Sequence, residues 1–256
     1  MASPAAPSSQ RFTIRPAHLS DYQAIGELAA TTYSHTPLTQ FLAPYRVAHP
    51  RAYTRRFTQP ALLRLLDARS LSFVAVETAR PDVIVGYVQC KRLGSDAAAQ
   101  ELMRERESNL GRRCLRWLVW RWFRLRDRLV GGNRSEDGEA GLLFEGWNKR
   151  DERRYWEGFG ERRNRWYVQS CVVRKEFQRL GIGRRLLGEV LRRAERENVV
   201  VGLESSEEGE ALYRSLGFEL LGRFEQDPYA DFLGRGGGIF MWTPPAWKAK
   251  ALEEKK

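Results

Sequence analysis

The chain is short of the residues that redox and metal chemistry draw on. Its 256 residues hold three cysteines, Cys90, Cys114 and Cys171, an odd number at wide spacing that suits neither a disulfide framework nor a metal site. Reduced thiols in a cytosol-like compartment are expected. The three histidines, His18, His35 and His49, lie in the N-terminal region without metal-ligand spacing. No apolar run approaches the roughly 20 residues that span a bilayer. Met1 to Gln10 also lack the charged-then-apolar order of a secretory signal. A soluble intracellular protein is expected, cytoplasmic, with the nucleus left open. Acidic residues are also in deficit: 43 Lys and Arg stand against 32 Asp and Glu, a net charge of +11. Such a surface attracts anions in general, whether phosphorylated cofactors, nucleic acid or acidic membrane, and by itself selects none of them.

What is present divides along the chain. Residues 1–10, rich in Ala, Ser and Pro, read as a disordered leader. Residues 11–247 read as one domain, and 248–256 as a charged, frayed tail. Arg11 to Arg15 alternates around Phe12 and Ile14 as a strand. Ser20 and Asp21 are placed to cap a helix with Ile25, Leu28 and Ala29 on its apolar face. Arg51 to Ala68 carries a second helical pattern, in which Pro60 is expected to reset the chain. Two β-branched and aromatic runs, Leu71 to Thr78 and Val83 to Arg92, joined by Ala79 to Asp82, predict a hairpin. After Gly94 the composition turns to Arg and Trp, so residues at about 95–165 read as a helical insertion. From Trp166 the pattern predicts strand 166–173, a glycine turn, helix 183–198 and strand 199–204. Helix 207–216, ending at Gly217, follows, with strands 218–224 and 238–243 completing the set.

The chemistry concentrates at the glycine turn. Gln178-Arg179-Leu180-Gly181-Ile182-Gly183 lies between a strand and a helix whose first turn holds Arg184 and Arg185. Glycine permits a tight turn and close approach of the backbone. The first N–H groups of the helix have no intrahelical acceptor, and with the helix dipole they suit a diphosphate. Two glycines between a strand and a helix also describe an ordinary turn, so the surroundings must decide.

Val172-Val173 precedes the turn. Leu186, Leu187, Val190 and Leu191 follow it, then Glu204-Ser205-Ser206, Ala211-Leu212-Tyr213 and Leu216-Gly217-Phe218. In this order the residues from Trp166 to Phe224 resemble the GCN5-related N-acetyltransferase (GNAT) superfamily. The resemblance implies an α/β (α+β) fold with a mixed, mostly antiparallel sheet of about six to seven strands flanked by helices, and acetyl-CoA as co-substrate. It further implies that main-chain groups of Cys171, Val172 and Val173 bind the acetyl and pantetheine portions. Amides of Gln178, Arg179, Leu180, Gly181, Ile182, Gly183 and Arg184 would bind the pyrophosphate, and Tyr213 would protonate the departing thiolate. The implied reaction is transfer of an acetyl or short acyl group to a primary amine by direct attack in a ternary complex, without a covalent enzyme intermediate. Cys171, in an apolar strand with no histidine near it in sequence, reads as a structural cysteine.

Two positions depart from the family. Where many members carry a strand glutamate before the turn, this chain has Gln169 and Ser170. Glu204 is therefore the candidate base acting through water, or else a carboxylate that orients substrate or caps the next helix. Ser206 stands where many members have Asn, as a helix cap or a cofactor contact. In the insertion, Cys114, Leu118, Trp122, Leu125 and Leu129 share one face of a helix crowded elsewhere by arginines. The plain expectation is a lid whose apolar face packs on the core and whose arginines are solvated or paired to Glu101, Glu105 or Glu107. The alternative is a non-catalytic CoA-binding module that acts through this helix on membrane or nucleic acid. Nucleic acid is disfavoured and peripheral membrane contact is kept open. The acceptor is a small-molecule or peptide amine, with Glu225, Asp227 and Asp231 offering a negative lip to a cation.

Overall fold

The computed structural model describes residues 11–107, 110–224 and 237–247. The leader at 1–10, the acidic lip at 225–236 and the tail at 248–256 lie outside the described residues. Seven strands form one mixed sheet: β1 Phe12–Pro16, β2 Ser70–Glu77, β3 Arg80–Leu93, β4 Arg165–Val173, β5 Val200–Ser205, β6 Glu219–Gly222 and β7 Gly238–Trp242, in the order β1-β2-β3-β4-β5-β7-β6. Every neighbouring pair is antiparallel except β4 and β5. The helices are α1 Tyr22–Tyr33, α2 Pro37–Leu42, α3 Pro50–Leu66, α4 Ala97–Glu107, α5 Leu110–Leu129, α6 Gly138–Glu152, α7 Gly160–Arg163, α8 Ile182–Glu197 and α9 Glu207–Ser215, with a π-helical turn at Arg153–Glu157 between α6 and α7.

Strand alternation assigns each face of the sheet a separate core. One face buries Val88, Cys90, Trp166, Val168, Val201 and Leu203 against the stripe Ile182, Leu186, Leu187, Val190 and Ala194 of α8, whose 3.6-residue spacing needs this partner. The other buries Val74, Val76, Ile84, Tyr87 and Val172 against Ile25, Leu28, Ala61 and Leu65 of α1 and α3. Glu197 ties the first face to the chain's crossing point. Its carboxylate accepts from Arg92 Nε at 2.7 Å and Trp166 Nε1 at 3.1 Å, while Arg92, fully buried, also donates to Asp96.

Several expectations are corrected. Asp21 precedes α1 but its carboxylate does not cap that helix; it accepts from the His18 N–H and from both terminal nitrogens of Arg15, at 2.7 to 3.0 Å. Pro60 does not reset the chain: it sits within α3. Proline inside a helix costs about 3 kcal/mol, and here Tyr53, whose hydroxyl donates to the Ala30 carbonyl, anchors the helix before it while buried Ala61 and Leu65 hold it after. The hairpin turns earlier than the sequence suggested, with Arg80 already in β3 and ion-paired to Glu77.

The insertion behaves in two ways. Its C-terminal part is core: Trp156 of the π turn lies on Gly202, where a Cβ would come within 2.4 Å of the ring, and Tyr155 and Trp156 pack with Ile239. Its long helix α5 inverts the expectation. The packed flank, at helical spacing, is half-buried Arg112, Val119, Phe123 and Arg126, joined by Arg116, which is exposed yet bonds across to Asp67, while Leu118, Trp122, Leu125 and Leu129 are 52 to 77% exposed and Cys114 is exposed. Arginine outcompetes leucine for this contact because the end of α3 offers acceptors: Arg112 donates to the Leu65 carbonyl and Arg116 to Asp67 at 3.2 Å. Cations at a helix C-terminus satisfy its last carbonyls and its dipole.

Candidate functional site

The site begins where the two parallel strands part. β4 and β5 pair only from Arg165↔Val200 to Val168↔Leu203. Beyond that, Gln169 to Val173 keeps β3 on one side and has no described strand on the other. A bulge opposite Gln89 and Cys90 skips Gln169 and resets the alternation, so Ser170 and Val172 face α1 and α3 while Cys171 and Val173 face α8. The free edge of β4 therefore offers main-chain groups at the very residues, Cys171 to Val173, named from the sequence.

The glycine turn closes one end of this gap. Gln178 and Arg179 are exposed, Leu180 packs on the α8 core and Gln178 Nε2 donates to the Val173 carbonyl at 3.1 Å. Arg179 and Gly181 both have positive φ, 61° and 78°. The two glycines act differently. Gly181, at the N-cap of α8, has open space around a notional Cβ and is needed for its left-handed backbone. Gly183 has an ordinary backbone, and a Cβ there would lie 2.9 Å from the tip of Leu212, which would have to shift. The N–H groups of Ile182, Gly183 and Arg184 open the helix without intrahelical acceptors. The arginine side chains point elsewhere: Arg184 donates to Ser215 Oγ at 2.9 Å and Arg185 to the Phe12 carbonyl at 2.8 Å.

The proposed acid and base lie on opposite faces of the sheet, flanking the parted strands. Tyr213 is buried beside Phe218 and Phe240 on the α8 face, and its hydroxyl has no hydrogen-bond partner among the described residues. Burial, then the nearby Cys171 and Tyr33, raise its pKa well above the ordinary value, so the phenol holds its proton. Glu204 alternates to the other face, half-buried, accepting from the Tyr167 hydroxyl at 3.0 Å. Burial raises its pKa to about 7, with Asp151 and Glu152 adding to the push against the Tyr167 hydrogen bond. Cys171 is no thiolate, since burial pushes it up to about 12. Ser206 occupies the N-cap of α9, but its side chain makes no cap hydrogen bond and is exposed. Among the described residues no group of three or more His, Cys, Asp or Glu could hold a metal, and no helix is long and apolar enough to cross a membrane.

Sequence reasoning missed the groups around a cavity of about 310 Å³ under α1, α2 and α3. Ser170 Oγ bridges the Tyr87 hydroxyl at 2.7 Å and the Tyr33 hydroxyl at 3.3 Å. Gln169, skipped by the bulge, buries an Oε1 without a partner. Arg56 and Arg64 line the cavity and no carboxylate does. The available signal was weak: Tyr87, Gln89 and Ser170 are polar residues at face-matched positions of otherwise apolar strands.

Comparison with known proteins agrees with this geometry. The family model described as an acetyltransferase (GNAT) domain matches residues 149–228, from the end of α6 through β6. A solved structure titled histone acetyltransferase HPA2 and related acetyltransferase, from Corynebacterium glutamicum, is 18% identical with a TM-score of 0.55, covering 92% of this chain and 97% of that one. Arabidopsis thaliana NAA60 in complex with a bisubstrate analogue is 14% identical at a TM-score of 0.48, covering 91% and 98%. The PaiA N-acetyltransferase of Thermoplasma acidophilum in complex with coenzyme A is 11% identical at 0.47, also covering 91% and 98%. No curated protein sequence matches. Residues 149–228 are thus similar to a GNAT acetyltransferase domain, and the seven-stranded sheet as a whole has the fold of a solved acetyltransferase.

Proposed function

We propose that the chain is an acetyl-CoA-dependent N-acetyltransferase, and that a primary amine seated in the cavity attacks the thioester through the gap between β4 and β5. The observation that carries this is the convergence on one gap of a free strand edge, a helix N-terminus and a protonated tyrosine. The residues fit the donor. The open, exposed turn at Gln178 to Arg184 gives the pyrophosphate unpaired N–H groups, and the edge from Cys171 to Val173 gives the pantetheine amides a strand to pair with. Acetyl-CoA supplies the activated acetyl group.

The chain supplies position and protons. Cavity walls from α1, α2 and α3 hold the acceptor beside Ser170, and holding two reactants in line is itself worth several kcal/mol of barrier. Glu204, poised near neutral pH, takes the amine's proton through water. Tyr213 donates its own to the leaving thiolate. Domain limits of 11–247 and a cytoplasmic location belong to the same reading. The experiment is acetyl-CoA calorimetry together with thiol release on a panel of amines. Binding plus amine-dependent release supports it; absence of binding overturns it. The non-catalytic alternative gains nothing from the site, because both the protonated tyrosine and a carboxylate tuned toward neutrality are present.

A further inference from the structure

The acceptor cavity contains a charge without a counter-charge. Of its two guanidinium groups, Arg56 is ion-paired with Glu136 at 2.8 Å. Arg64 is not so compensated: its Nη1 donates to the neutral Gln89 Oε1 at 3.2 Å, and it makes no ion pair among the described residues. The ionisable groups that act on it are the hydroxyls of Tyr87, Tyr33 and Tyr167, and burial lowers its pKa from the ordinary value. Guanidinium stays charged even so, and this half-buried charge, facing the cavity with no carboxylate in its wall, favours a ligand of opposite sign. The rest of the wall mixes apolar Phe57, Leu38, Leu42 and Phe144 with uncharged Thr36, Thr39 and Gln169.

Resting on the acetyltransferase reading, we infer that the acceptor is an amine that also carries an anionic group on an apolar body, with a carboxylate or phosphate on Arg64 and the amine toward Ser170. The planar guanidinium offers either anion two parallel hydrogen bonds. A polyamine, uniformly cationic, is the wrong shape of charge for this wall.

The test pairs each anionic amine with its neutral counterpart: phenylalanine with phenethylamine, 4-aminobutyrate with butylamine, phosphoethanolamine with ethanolamine. Thiol release should show KM lower by about tenfold or more for the anionic member of at least one pair, the carboxylate and phosphate pairs separating the two anions. Arg64→Met should erase that preference through KM, and Arg64→Lys should restore part of it. Equal use of the neutral partners, or an unchanged preference in Arg64→Met, overturns the inference. Calorimetry of the same amines on the coenzyme A complex decides independently of turnover. Anion binding lost in Arg64→Met supports the inference, and no anion binding by the wild type overturns it. Failure of every amine to release thiol, with anion binding intact, counts against the catalytic reading alone.

A separate observation concerns α5. Its apolar stripe of Leu118, Trp122, Leu125 and Leu129 is exposed beside the packed flank, and at about 100° per residue its other border is Arg121, Arg124 and Arg128. Arg121 and Arg124 lie over the rings of Trp117 and Trp120, at 5.4 and 4.7 Å. Leucine at the centre with tryptophan and arginine at the margin matches the layering of a bilayer interface, where apolar residues enter the acyl region and cations meet anionic headgroups. The geometry points to α5 as a helix lying on an anionic membrane surface, without spanning it. Nucleic acid would use the arginines and leave the leucines wet.

Co-sedimentation of the full chain with phosphatidylserine-containing vesicles, against pure phosphatidylcholine, tests this. Binding to the anionic vesicles that falls with salt and is lost in Leu118→Ser/Trp122→Ser, at unchanged melting temperature, is expected. Absence of pelleting overturns it. So does DNA binding that survives the serine changes, or a dimer that those changes dissociate.

Discussion

Replacing Tyr213 by Phe separates chemistry from packing. The change removes one hydroxyl that has no hydrogen-bond partner among the described residues, so no buried group is orphaned. The ring keeps its neighbours, with centroids 5.6 Å from Phe218 and 6.3 Å from Phe240. Stability should therefore move by no more than about 0.5 kcal/mol. Tyr213→Ala empties a buried aromatic site and should cost about 3 to 5 kcal/mol, roughly a 10 °C fall in melting temperature for a chain of this size. Turnover should behave differently. A single proton donor contributes on the order of a hundredfold or more, so Tyr213→Phe should lower kcat by about that factor while acetyl-CoA affinity holds. Because burial raises the phenol's pKa, the wild-type alkaline limb should lie above the ordinary tyrosine value of about 10. Thermal melting and thiol release on the same preparations are the measurements. A Phe variant with wild-type kcat removes Tyr213 from the chemistry, and one that melts as early as the Ala variant places the hydroxyl in the packing.

Glu204, raised from 4.5 to about 7, should impose an acid limb in which rate rises through about pH 7, and Glu204→Gln should flatten it. Its raised pKa also means that the stability it contributes is full below 4.5 and is lost as pH rises through about 7, so the melting temperature of wild type relative to Glu204→Gln should fall over that interval. Gly181→Ala forces a Cβ onto a left-handed residue and should cost about 1 kcal/mol in melting, with a larger fractional loss in acetyl-CoA affinity by calorimetry. Glu197→Ala leaves fully buried Arg92 with the Asp96 carboxylate and the Leu93 carbonyl and should destabilise by about 3 kcal/mol in urea unfolding. Gly202→Ala drives a methyl into Trp156 and should cost about 1 to 3 kcal/mol, which tests whether the insertion's π turn is a structural layer.

Chain-local features were legible and cross-chain ones were not. The glycine turn could be read as a turn because backbone torsion and free N–H groups are encoded within a few residues. The helix carrying Tyr213 was legible for the same reason, by its order after the turn. The cavity was not, because Tyr33, Arg64, Tyr87 and Ser170 come from four separate elements and meet only through the sheet register and the bulge at Gln169. The orientation of α5 was misjudged for a different cause. Periodicity tells which residues share a face but not which face finds a partner, and the carbonyls at the end of α3 reward arginine above leucine. Ser206 stood at the right cap position, yet its hydroxyl did not take up the cap.

The order β5-β7-β6 has a consequence for synthesis. β7, the last strand in sequence, lies between β5 and β6, so β6 has no neighbour to pair with until Gly238 to Trp242 arrives. During translation the outer edge of β5, apolar at Val200, Val201 and Leu203, stays open while some 35 further residues emerge. An open apolar edge templates pairing with other chains. The nascent protein thus passes through a stage in which β1 to β5 are assembled and the sheet is sticky, and a stall before residue 238 would leave it there.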